Sequence, residues 1–115
     1  MKLTVIPLNI ISEKEYAFIK DMIATIRRID LEDIIYDVTV IPIIEDYGSG
    51  VEIVTLNVFL TEKKPSKFTN YMKDSICMLS EKYKVNVEVK IVNKYQRFQL
   101  QTDIIDPMNA KTETI

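Results

Sequence analysis

The chain has 115 residues, with 15 Lys plus Arg against 17 Asp plus Glu and a net charge of −2. That length fits one domain whose core needs no metal or disulfide, and the mild acidity disfavours nucleic acid as a partner. With no histidine the commonest general base, His-based metal sites and Ser-His-Asp triads are missing, and the single cysteine, Cys77, excludes an intramolecular disulfide or a zinc cluster.

A lone cysteine suits a reducing compartment. The stretch Met1 to Pro7 is too short and interrupted for a signal peptide, and no apolar run approaches a membrane span. A soluble cytoplasmic protein without a cofactor is therefore expected. Abundant isoleucine and lysine with no tryptophan hint at an AT-rich coding sequence, from a thermophile or one of its viruses.

Leu3 and Val5 mark a first strand over about residues 2–6, with Pro7 at its end or at a bulge. Ser12-Glu13-Lys14-Glu15 is a capping box, which opens a helix running to about Arg28. Ile19, Met22, Ile23 and Ile26 form its apolar stripe. Its early glutamates and late Arg27 and Arg28 match the helix dipole at both ends.

A second strand is expected over about residues 35–45, where Val38, Val40 and Ile44 alternate with Asp37, Thr39 and Glu45. Ile41 and Ile43 blur its polar side. Pro42 demotes it to an edge strand, the missing donor facing outwards. Tyr47-Gly48-Ser49-Gly50 holds both glycines of the chain and predicts a hairpin turn. Residues 51–60 then give the strongest strand signal, with Val54, Leu56, Val58 and Leu60 on the core side.

Ser66, after Pro65, caps a second helix to about Lys82 with the stripe Phe68, Met72, Ile76, Leu79 and Tyr83. Cys77, beside that stripe, reads as a buried structural thiol. Val85, Val87, Val89 and Ile91 mark a fourth strand. Tyr95 to Leu100 alternates again, predicting a short fifth strand or a continuation of the fourth. Residues 101–115 read as a polar tail, mobile or contributing to an oligomer.

The order strand, helix, strand, strand, helix, strand, with right-handed crossovers, resembles the ferredoxin-like fold. That fold is a βαββαβ two-layer α+β sandwich with an antiparallel sheet in the order 4-1-3-2, here spanning about residues 1–100. It hosts many unrelated activities and implies none of them.

In such a fold both helices cover one face of the sheet. Ile41, Ile43, Val51, Ile53, Thr55, Asn57 and Phe59 would then lie on the open face, as contiguous apolar surface of the kind that marks an interface. A homodimer joined sheet to sheet is the leading expectation. The competing one is that the C-terminal segment, with Phe98 and Leu100, folds back over this face.

The topology also gathers Arg27, Arg28, Lys63, Lys64, Lys67 and Lys94 at one end, a patch for phosphate groups or nucleic acid. A solvated rim balanced by Asp30, Asp33 and Glu62 is the favoured reading. A stacking surface for RNA would have only Phe59. Glu45, Asp46 and Glu52, like Asp30, Glu32 and Asp33, read as solvated turn acids in preference to a cation site.

These features favour a non-enzymatic protein-interaction module, cellular or virus-encoded, that self-associates through the open face or an edge strand. The alternatives are a nucleic-acid-binding protein using the basic end, and a small-molecule-binding domain or enzyme with its site at a dimer interface.

Overall fold

The computed structural model describes residues 1–6, 11–108 and, for the backbone alone, 112–114. The expectation for Pro7 lies outside these residues. The elements in order are β1 (Lys2–Val5), α1 (Glu13–Ile29), β2 (Ile35–Asp46), β3 (Glu52–Glu62), α2 (Lys67–Tyr83), β4 (Asn86–Val92), α3 (Lys94–Leu100) and β5 (Thr112–Thr114). A π-helical turn over Gln101–Ile105 continues α3.

Local signals set the helix ends. Ser12 accepts the Glu15 amide and Glu15 reaches back to Ser12, closing the capping box at the start of α1. Ser66 accepts the Phe68 amide to start α2. At the end of α2 the chain reverses through Lys84 in the left-handed region (φ 55°).

The sheet has the order β4-β3-β2-β1-β5. β1 runs parallel to β2, β3 parallel to β4, and β2 antiparallel to β3. This mixed sheet corrects the expected antiparallel 4-1-3-2 ferredoxin-like arrangement. In place of interleaving, each helix connects two adjacent strands. The reason lies in strand length and apolarity. β2 and β3 pair without a break from Asp46↔Glu52 back to Asp37↔Thr61. Isoleucine and valine occur on both faces of β2, which suits a central strand. The four-residue β1 is left to the flank.

The packing face explains why the crossover rule misled. Leu3 and Val5, Val38 and Val40, Leu56, Val58 and Leu60, and Val87 and Val89 share one core with Phe18, Met22 and Ile26 of α1 and Met72 and Ile76 of α2. Both helices thus lie on one side of the sheet. Two adjacent-strand crossovers that share a face, on either side of a hairpin, have opposite hands. One of them is therefore left-handed, the form that sheet twist ordinarily disfavours.

Two further expectations change. Residues 95–100 form α3, in place of a fifth strand, because Asn93 and Gln96 make a reciprocal capping box. Cys77 is exposed, because the buried stripe of α2 is Thr69, Met72, Ile76 and Ser80, and Cys77 falls one position outside it.

Candidate functional site

Three regions carry side chains that the core does not account for. The first is the far end of the β2–β3 hairpin. Pairing of β1 with β2 stops at Val40, and β4 first pairs with β3 at Thr55. Residues 41–54 therefore form a two-stranded arm beyond the rest of the sheet.

Pro42 helps to end the pairing. The Tyr47 amide donates to the Val51 carbonyl at 3.1 Å, so odd residues of β2 bond towards β3 and even residues face away. The Ile6 amide donates to the Val40 carbonyl at 3.0 Å, in keeping with that parity. Pro42 is thus aimed to the side where a longer β1 would pair, and it has no donor to offer. The edge character read from this proline is local. β2 as a whole is not an edge strand.

The arm is apolar on its faces and acidic at its tip. Ile43 is 46% exposed, Ile44 43%, Val51 52% and Ile53 37%. Glu45, Asp46 and Glu52 are its only charged residues. The tip is internally tied: the Gly48 amide donates to Asp46 at 2.9 Å, and the Tyr47 hydroxyl donates to the Glu45 carboxylate. That bond, with the adjacent negative charge, raises the Tyr47 pKa above its usual value. Gly48 and Gly50 take φ of 78° and 75°, a region in which a side chain is strained.

The residues expected on an open sheet face divide into two groups. Ile43, Val51 and Ile53 are exposed on the arm, with Ile41 and Thr55 half-buried at its base. Asn57 is buried, its amide within 3.4 Å of the Ile41 carbonyl. Phe59 is half-buried, with Lys90 Nζ 6.0 Å from its ring centre. The C-terminal segment does return across this face, through α3. It covers the part around Asp37 and Thr4 with Arg97, while Phe98 stays largely exposed and the arm is left open.

The second region is the opposite end, where α1 ends and α2 begins. Arg28, Ile29, Lys67, Phe68 and Tyr71 line a shallow groove of 480 Å³. Arg28 donates to the Thr25 hydroxyl at 3.1 Å, and Lys67 Nζ lies 5.7 Å from the Phe68 ring centre. Arg27 and Lys64 are exposed. Lys63 pairs with Asp33 at 2.6 Å, which lowers the Asp33 pKa. Lys94 lies over the Tyr36 ring.

The acids expected to balance this end are engaged locally. Asp30 accepts the Ile34 and Ile35 amides at 2.6 and 2.9 Å, and Glu62 accepts the Thr69 hydroxyl at 2.8 Å. None of them lines the groove. Sequence spacing identified its cations but not Phe68 and Tyr71 as its walls, because Phe68 reads as a core residue in the α2 stripe.

The third region is polar and buried. Arg97 Nε donates to Asp37 Oδ2 at 2.5 Å, and the Thr39 hydroxyl donates to the same oxygen at 2.6 Å. Gln101 accepts from Arg97 at 2.9 Å, and Thr4 lies 3.5 Å from its other terminal nitrogen. Asp37 is fully buried and Arg97 8% exposed. This cluster pins α3 to the sheet. The two charges are paired with each other at the foot of α3.

No helix among the described residues is long and apolar enough to cross a membrane. Among them no three potential metal-ligating side chains come together. No family model, curated protein or solved structure matches the chain.

Proposed function

We propose that this chain is a non-enzymatic interaction module of the cytoplasm that self-associates, with the β2–β3 arm as its contact element. The observation that carries this reading is the arm itself: Ile43, Ile44, Val51 and Ile53 stand beyond the rest of the sheet and remain exposed over about 37–52% of their surface. A two-stranded ribbon on its own is marginally stable in water. Fully burying such side chains is worth about 1.5–3 kcal/mol each, so a partner surface adds what the monomer leaves unused.

Sedimentation across a micromolar concentration series tests this. The unmodified chain is expected to associate as concentration rises, and Ile43→Lys with Ile53→Lys to abolish association without loss of the far-UV spectrum. A chain that stays monomeric at the highest concentration contradicts the proposal.

A further inference from the structure

We infer that the arm of one molecule docks in the groove at the opposite end of another, joining identical chains head to tail. This rests on the self-association proposed above and names its two surfaces.

Charge and shape agree on the pairing. The arm is apolar and carries Glu45, Asp46 and Glu52 with no basic residue. The groove has apolar and aromatic walls, and its charged lining residues are Arg28 and Lys67. Each surface thus offers what the other lacks, apolar area at the centre and opposite charge at the rim.

Within one chain the two surfaces cannot meet. α1 ends where β2 begins, and the arm lies where β2 ends. The twelve residues of β2 reach from the groove end to the tip of the arm, roughly 40 Å at about 3.3 Å per residue, and the paired, rigid stretch 35–40 holds the base of the arm away from the groove. An arm docked in a groove is therefore an intermolecular contact. It is heterologous: a row of molecules keeps a free arm at one end and a free groove at the other unless it closes into a ring. An arm-to-arm dimer would bring two acidic tips together, which their like charge opposes.

Two double variants test this. Glu45→Lys with Glu52→Lys reverses the arm, and Arg28→Glu with Lys67→Glu reverses the groove. Each alone is expected to associate on the order of a hundredfold more weakly than the unmodified chain. Unmodified association should weaken in high salt. The two variants retain one intact surface each, an arm on one and a groove on the other. Mixed, they are expected to recover association, because each arm then meets a groove of opposite charge on the other variant, which also shows that both are folded. Loss of association in the arm variant alone, with the groove variant unaffected, overturns the docking while leaving self-association in place. Binding of a single-stranded oligonucleotide that the groove variant loses, with self-association unchanged, assigns the groove to nucleic acid and also overturns it. An unmodified chain that is monomeric throughout removes both proposals.

Discussion

Arg97 and Asp37 are 60 residues apart in sequence, and Arg97 Nε lies 2.5 Å from Asp37 Oδ2 in the fold. The pair ties α3 to the middle of the sheet on the face away from α1 and α2. Removing one partner of a buried pair leaves an uncompensated charge, whereas replacing both with apolar groups of similar volume is often neutral or stabilising. Arg97→Ala is expected to cost about 3–5 kcal/mol. Arg97→Met with Asp37→Leu should recover most of that loss. Denaturant unfolding of the three variants measures this, and equal losses in the single and double variants would show that the pair is not what holds α3.

Little of that relationship was legible in the sequence. Asp37 alternates with Val38 as a solvated strand residue would, and Arg97 alternates with Phe98 as if in a strand. The missed signal was Asn93 followed by Gln96, a reciprocal cap as readable as that of Ser12 and Glu15. Once residues 95–100 are helical, Arg97 and Gln101 fall on one side of a helix, and a buried arginine needs a buried acid. The core was far more legible, because Leu56, Val58 and Leu60 follow from period two alone. Strand order was not. Crossover handedness favours one order, and the apolarity of both faces of β2, which takes a central place beside β1, goes with the other. The basic end survived that error, because in both topologies α1 ends where β3 finishes and α2 starts.

Beside this pair two threonines should behave in opposite ways. Asp37 Oδ1 and Thr61 Oγ1 are buried with no hydrogen-bond partner among the described residues, and the two residues are register partners across β2 and β3. An unpartnered buried hydroxyl costs about 1–3 kcal/mol, so Thr61→Val should be neutral or stabilising. Thr39→Val removes a donor from the buried carboxylate, at a cost of about 1–3 kcal/mol. Comparison of the two unfolding midpoints checks the order, and a larger loss at position 61 would contradict it.

Lys84 carries a conformational cost that glycine would relieve. It ends α2 at φ 55°, ψ 44°, and the Val85 amide closes the turn onto the Ser80 carbonyl at 3.0 Å. For a residue with a Cβ this left-handed region costs roughly 1–2 kcal/mol, partly offset by the greater chain entropy of glycine. Lys84→Gly should therefore raise stability by about 0.5–1 kcal/mol. The Lys84 carbonyl that accepts from Lys14 Nζ at 3.0 Å is a backbone group and remains. A lower thermal midpoint would show that the lysine stem contributes more than its backbone costs.

The Asp33–Lys63 pair sets an acid-side dependence with a definite sign. Its hydrogen bond and the lysine charge hold the Asp33 carboxyl below its ordinary value of 3.8. Stability from this pair is thus fully present above that value and lost as pH falls through the lower folded-state pKa. Both side chains are exposed, so the contribution is small and screened by salt. Lys63→Met should match the unmodified chain at very low pH and fall slightly below it above about pH 4. High salt should close the gap. A difference that persists at the lowest pH would have another origin.

Pro42 is buried at the base of the arm, and its missing amide is expected to limit strand pairing along that side of β2. Its side of β2 faces away from β3, two residues past the last pair with β1, and a free amide there would add a donor for strand pairing on that side. Pro42→Val supplies that amide and a residue of high β-propensity while leaving the pairing with β3 unchanged. The variant should be about as stable as the unmodified chain and markedly more prone to associate. This added association should proceed through strand-edge pairing, so it should be insensitive to Arg28→Glu with Lys67→Glu and be accompanied by a gain in β signal. Light scattering with far-UV circular dichroism separates it from docking in the groove. An unchanged association constant would mean that the arm's edge is already closed by its own twist, and that Pro42 serves only to stop β1 at Val40.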